Sequence, residues 1–237
     1  MTETNAPQSL LMLSGGLDST VAAFLAAETT RPVLALGFDY GQRANRRELA
    51  AGYAIAQRLG VTHRTVALPF FREISKGALT EPSRAMPHPT AGDLDDLEQA
   101  QGSAQAVWVP NRNAVFIAVA AAFAESAGAD VLVVGFNAEE ARTFPDNSAA
   151  FVQHQNRALE YSTARRVQVE APTASWSKAD IVRRAMERDW PLELVWSCYE
   201  GEKQPCLACE SCLRFQRALD AADARPWFEG RLRGETR

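Results

Sequence analysis

The chain has 237 residues, 46% hydrophobic and 23% charged, enough for one buried core with an appendage and unlike disordered, collagenous or disulfide-scaffold chains. Its 25 Lys and Arg against 29 Asp and Glu leave a net charge of −4, without the single-sign excess of a protein that coats phosphate backbones, so a nucleic-acid partner is not expected. The longest apolar run, residues 114–124, is too short to span a bilayer and no basic residue precedes Arg31, a pattern expected of a cytoplasmic protein without membrane attachment.

Strand and helix signals then alternate. Residues 10–13 predict a buried strand, Ser14-Gly15-Gly16 a turn, and Val21, Ala22, Phe24 and Leu25 a helix to Glu28. Residues 33–38 predict a second strand, and Leu49, Tyr53 and Ala56 one face of a helix that stops at Gly60. Residues 61–68 read as a weaker third strand. Residues 70–107 hold Pro82, Pro87, Pro89 and the acidic run Asp93, Asp95, Asp96 and Glu98 with little periodicity, as expected of a lid or insert. A helix over 114–123 leads to Val131-Leu132-Val133-Val134-Gly135, which predicts a strand buried on both faces. A helix over 151–161, a strand over 167–170 and a helix over 178–188 complete the series. The alternation predicts an α/β domain over 1–190, an open five-stranded parallel sheet with helices on both faces. Residues 191–237, ending in Arg231, Arg233 and Arg237, are expected to form a small C-terminal module.

Ser14-Gly15-Gly16-Leu17-Asp18-Ser19-Thr20 lies between the first strand and the first helix, where glycine backbone N–H groups and a helix N-terminus favour an anion. Pyrophosphate is the natural guest. Ser14, Ser19 and Thr20 can donate hydroxyls to phosphate oxygens, and Asp18 can orient the loop or hold magnesium. The lysine-bearing spacing of a Walker loop is absent, so ordinary γ-phosphoryl transfer is not indicated. The plain alternative is a tight turn with a helix cap.

All four cysteines fall within one short segment, Cys198-x7-Cys206-x2-Cys209-x2-Cys212. Four soft ligands at this spacing fit a closed, structural zinc site; an iron–sulfur cluster takes the same set, although nothing else suggests redox chemistry. His63, His88 and His154 lie apart from this group and read as ordinary residues.

The glycine loop resembles the S-G-G-x-D-S signature of the ATP pyrophosphatase (PP-loop) superfamily. Phe38-Asp39-Tyr40-Gly41-Gln42-Arg43, Val109-Pro110-Asn111-Arg112-Asn113, Phe144-Pro145-Asp146 and Trp196-Ser197-Cys198-Tyr199 follow in the order seen in the 7-cyano-7-deazaguanine synthase (QueC) family, and the resemblance runs over residues 10–219. It implies a PP-loop, Rossmann-like fold that uses ATP, to which the residues themselves add magnesium at Asp18 and zinc at the four cysteines. It further implies conversion of a deazapurine carboxylate and free ammonia to a nitrile, through adenylate and amide intermediates, in queuosine and archaeosine synthesis. A homodimer is compatible with the sequence. Alternative readings are a paralogue that conjugates the deazapurine to an amine or a protein acceptor, a tRNA-modifying relative, and a non-catalytic nucleotide-binding module.

The sequence departs from the family pattern at identifiable places. Asn111 stands for a glycine, Ala44 for a histidine, Glu48 lies one residue late, and Arg142-Thr143-Phe144-Pro145-Asp146-Asn147-Ser148 replaces S-G-Y-P-D-C-R. Asn tolerates the left-handed conformation best after glycine, so the turn at Asn111 is expected to survive.

Ligands of open parallel sheets bind at the strands' C-terminal ends, so Asp39, Tyr40, Gln42, Asn137 and Asp146 are expected to face one cleft. Asp18, Arg112, Asp146 and Lys178 are the candidate catalytic residues; Tyr40, Gln42, Arg112, Asn113 and Asp146 are the candidate substrate contacts. Arg112 suits a substrate carboxylate or the α-phosphate, the alternative being a surface salt bridge. Asp146 suits the hydrogen-bonding edge of a guanine-like ring, or else it caps the helix starting near Ser148. Lys178 suits ATP phosphates, or else it is a solvated lysine beside a Ser177/Asp180 capping pair.

Overall fold

In the computed structural model, which describes residues 6–234, five parallel strands stand in the order β3-β2-β1-β4-β5. They are β1 (Gln8–Met12), β2 (Arg31–Asp39), β3 (His63–Ala67), β4 (Val131–Val133) and β5 (Gln168–Glu170). Arg237 of the basic tail lies outside the described residues. The chain builds outward from β1 in both directions, so the loops leaving β1 and β4 diverge and a crevice opens at their C-terminal ends.

Successive residues of a strand face opposite sides, and here both sides are buried. Leu10, Leu36, Phe38 and Leu132 pack with Phe116, Ile117 and Ala120 of α5 (Arg112–Ser126) on one face. Leu11, Ala35, Val131 and Val133 pack with Ala22, Ala23 and Ala26 of α1 (Leu17–Thr29) and with Ile55 and Ala56 of α2 (Asn45–Leu59) on the other. Helix α2 ends at Gly60, which takes the left-handed conformation with φ 68°. Asn111 does the same with φ 56° at the start of α5, so the left-handed turn expected there is formed without a glycine. The fourth strand is shorter than its apolar run. Val134 still donates to Glu170 O, and the chain then passes so close to α1 that a Cβ on Gly135 would lie 2.3 Å from Ser19 N.

Residues 70–107 depart from the lid or insert expected of them. Phe71 in α3 (Phe71–Ile74), Ala78, Leu79 and Met86 join the main core, and Ala100 and Ala104 of α4 (Leu97–Ala106) are buried. The acidic run has a local task, because the Asp96 carboxylate accepts from the backbone of Glu98 and Gln99 and starts α4. Periodicity is weak because burial comes through single residues between turns rather than along one helix face.

The C-terminal residues do not build a separate core. Ala218 and Leu219 of α8 (Glu210–Ala221), followed by Ala222 and Ala224, pack with Ile181, Val182 and Ala185 and with Leu17 and Val21 of α1. The middle three belong to α7 (Lys178–Glu187). Arg225–Leu232 forms α9, and Ala149–Ser162 forms α6 beside β5. Helix α7 opens with a reciprocal cap in which Ser177 accepts from Asp180 N while Asp180 accepts from Ser177 N. Ser177→Ala is expected to lower stability by about 1 kcal/mol, read by denaturant unfolding. No helix among the described residues is long and apolar enough to cross a membrane.

Candidate active site

One cleft of about 230 Å³ lies across the C-terminal ends of β1, β2 and β4. The glycine loop lines one end, and Tyr40, Arg112, Asn113 and Asp146 line the other.

At the loop, Gly15 has φ 82° and sits so tightly that a Cβ would meet Glu48 O at 2.5 Å, a position only glycine fills. Ser14 Oγ and Ser19 Oγ are 2.9 Å apart, and both residues line the cleft with Gly16, Leu17 and Asp18. Thr20 corrects the expectation made for it: it is fully buried, and its hydroxyl donates to Gly16 O at 2.7 Å, turned back into the helix rather than toward a phosphate.

Lys178 also departs from the solvated alternative. Only 5% exposed, it donates to Asp18 Oδ2 and Glu140 Oε1, both at 2.8 Å. The capping pair beside it exists as well, so the two readings describe different atoms of one helix start. Burial opposes the lysine's charge, but the two carboxylates outweigh it and hold the ammonium above its ordinary pKa. Burial raises Asp18 despite Lys178. For Glu140 burial acts upward too, yet the lysine charge, with Arg214 and Asn137, leaves its carboxyl below the usual range. Glu139 extends the network, accepting from Lys178 N at 2.8 Å and meeting Arg214 at 3.5 Å and Arg217 at 3.4 Å. Asp18 Oδ1 and Asn137 Nδ2 are buried without a protein partner. Neither Glu139 nor Glu140 was singled out by the sequence; the available signal was their position in the loop that follows the clearest strand.

At the far end, Arg112 Nη1 donates to Tyr40 Oη at 3.2 Å, and the guanidinium lies 5.6 Å from that ring's centroid. This half-buried guanidinium faces the cleft, not a surface partner. Burial pushes the Tyr40 hydroxyl up to about 12. Asp146 does not cap α6: Ser148 Oγ accepts from Phe151 N at 3.2 Å, which leaves the carboxylate to Asn147 Nδ2 at 3.2 Å and to the cleft. Burial raises Asp146, and the Arg112 charge opposes that rise. Asn113 Nδ2 donates to Asp146 O at 3.5 Å. Gln42 lines the cleft, and its amide, engaged by Tyr40 N, Phe38 O and Glu48 Oε2, fixes those groups. Asp39 accepts from Gly41 N, and buried Asn137 accepts from Glu139 N and Glu140 N; neither lines the cleft. Trp108 and Phe144, whose rings lie within 8° of parallel with centroids 6.2 Å apart, line it together with Glu48 and Tyr199.

The four cysteine sulfurs lie within 4.8 Å of one another and could hold a metal ion. Backbone N–H groups of Glu200 and Cys206 point at Cys198 Sγ, and that of Cys209 at Cys206 Sγ, as donors do around anionic thiolates. The segment is tied to the loop, since Trp196 N donates to Gly15 O at 2.9 Å.

Residues 8–223 match the family model described as queuosine biosynthesis protein QueC. The 7-cyano-7-deazaguanine synthase of Pelotomaculum thermopropionicum is 46% identical over 215 residues, 91% of this chain and 97% of the relative. That of Bdellovibrio bacteriovorus is also 46% identical, over 90% of this chain and 93% of the relative. Among solved structures, NMN synthetase from Francisella tularensis aligns with a TM-score of 0.46 at 14% identity, covering 92% of this chain and 84% of that one. A 4-thiouridine synthetase–RNA complex with bound ATP aligns with a TM-score of 0.42 at 17% identity, covering 95% and 53%.

Proposed function

The chain belongs to the QueC family, and from that membership we propose that it converts 7-carboxy-7-deazaguanine, ATP and ammonia to 7-cyano-7-deazaguanine. The observation that carries this reading is a single cleft joining a glycine loop shaped for pyrophosphate to an Arg112–Tyr40–Asp146 end shaped for a planar, carboxylate-bearing ring.

With ATP's phosphates on the loop and the carboxylate beside Arg112, a carboxylate oxygen attacks the α-phosphorus and the bond to pyrophosphate breaks. Ammonia then forms a C–N bond at the activated carbon as AMP leaves. A second adenylation, on the amide oxygen, lets AMP depart as the amide loses its N–H protons and becomes the nitrile. Catalysis by these residues is positioning and charge stabilisation: Lys178 and the loop hold phosphate oxygens, and Arg112 orients the carboxylate. The Trp108 and Phe144 rings offer flat apolar surface to the heterocycle.

Magnesium fits the buried, unpartnered Asp18 Oδ1, and Asp18 and Glu140 would hold it, where it would supply positive charge against the phosphates. Zinc fits the sulfur cluster: a tetrahedron with sulfurs at about 2.3 Å from the ion has edges near 3.8 Å, whereas a multi-iron cluster spreads its cysteines further apart. We assign the cluster a structural role, on a small-molecule enzyme of the cytoplasm.

Mass spectrometry of products from 7-carboxy-7-deazaguanine, ATP, magnesium and ammonium is expected to show the amide and then the nitrile, with AMP formed at each activation. An amide or adenylate that persists under excess ammonium would instead favour an amine-conjugating enzyme. Asp146→Asn is expected to raise KM for the deazapurine about tenfold or more with ATP affinity little changed, since a charge-assisted hydrogen bond is worth roughly 1.5–3 kcal/mol. Equal weakening of both ligands would move Asp146 to loop structure.

A further inference from the structure

At neutral pH ammonia is present chiefly as ammonium, which has no lone pair with which to attack an activated carboxylate. A site that uses it needs an anionic acceptor beside the reacting carbon. Four carboxylates line the cleft: Asp18, Glu48, Glu140 and Asp146. Asp18 and Glu140 are bound to Lys178, and Asp146 lies with Asn147 and Asn113 at the heterocycle end. Glu48 is tied to both groups of residues, to the loop through its backbone and to Tyr40 through their shared partner Gln42. Its carbonyl abuts Gly15 of the loop, and its carboxylate Oε2 accepts from Gln42 Nε2 at 2.9 Å. The neutral amide fixes the carboxylate's direction without cancelling its charge. Arg112, Tyr40 and Cys198 are the charged or titratable groups that act on it through space.

We propose that Glu48 is the catalytic residue that receives the ammonium ion and takes its proton. Its backbone lies against Gly15 of the loop and its carboxylate feels the Arg112 charge, so it borders the residues assigned to the phosphates and to the substrate carboxylate. Burial makes this carboxyl a stronger proton acceptor than an exposed one. One proton passes from ammonium to Glu48; the freed lone pair forms the C–N bond. The C–O bond to AMP then breaks with its electron pair on AMP, and the second N–H proton leaves to water. Glu48 returns its proton to water before the next turnover.

The inference rests on the amidation reading, and three assays separate them. Carboxylate-dependent exchange of labelled pyrophosphate into ATP reports adenylation, amide formation with ammonium reports the full transfer, and hydroxamate formation with hydroxylamine reports transfer from a nucleophile that is uncharged at neutral pH. Glu48→Gln is expected to lower kcat/KM for ammonium by about a hundredfold or more, the ordinary worth of a positioned base, with exchange and hydroxamate formation little changed. Glu48→Asp is expected to recover part of the ammonium activity. Loss of all three activities together in Glu48→Gln, or unimpaired use of ammonium, overturns the role given to Glu48. Absence of exchange in the unaltered enzyme overturns the amidation reading itself.

Discussion

Replacing Lys178 with methionine is expected to reduce carboxylate-dependent AMP formation by roughly a hundredfold or more, the usual cost of deleting one preorganised electrostatic group. The substitution keeps the length of the side chain and removes a buried ammonium that lies 2.8 Å from both Asp18 and Glu140. Two carboxylates are then left facing each other without their cation, which costs roughly 3–5 kcal/mol of stability when a buried pair is broken from one side. Asp18 sits in the first turn of α1, directly after the glycine loop, so its displacement would move the groups we assign to the phosphates. The variant's pH dependence has a definite sign. Burial already raises Asp18 with the lysine opposing it, and without that opposition the folded state binds this proton more tightly than the unfolded chain. Stability of Lys178→Met relative to the parent is therefore greatest at acid pH and falls as pH rises past the ordinary carboxylate range. AMP quantification and denaturant unfolding across pH check both parts; near-parental AMP formation would remove Lys178 from the reacting site.

Loss of the zinc proposed for the four cysteines is expected to have the largest effect on folding. Elemental analysis should find one zinc per chain, and chelation or Cys209→Ser should unfold the C-terminal segment, because structural zinc contributes about 10–16 kcal/mol in small zinc domains, as much as the whole stability of many proteins. Cys209 immediately precedes α8, whose Ala218 and Leu219 share a core with Leu17 and Val21 of α1. Trp196, two residues before Cys198, is hydrogen-bonded to Gly15 of the loop. Metal loss should consequently abolish ATP binding as well as lower the unfolding temperature. A metal-free preparation that keeps both properties, or one that contains iron with visible absorbance, would refute the assignment.

The features legible in the sequence are those written in neighbouring residues. The β-branched run at 131–134 marks a strand buried on both faces, Gly60 marks a helix end, and Asn111 marks a left-handed turn. The glycine loop predicts an anion site and the cysteine spacing a metal site before any contact is known, and the four sulfurs do come within 4.8 Å of one another. What the sequence could not rank were roles that depend on which distant atoms meet. Lys178 and Asp18 are 160 positions apart, and only their burial side by side decides that the lysine is not a solvated neighbour of a helix cap. Thr20 carries the right group for a ligand contact, but a backbone carbonyl occupies it. Ser148 takes the helix cap that Asp146 was able to make, which frees the carboxylate for the cleft. Residues 70–107 look unstructured by period, yet single side chains such as Phe71 and Leu79 fill the core. Periodicity and motif spacing report the local chain geometry that sets strands, helices and turns. Hydrogen-bond competition and burial are long-range outcomes, and they alone determine which of several chemically competent groups is left to face a ligand.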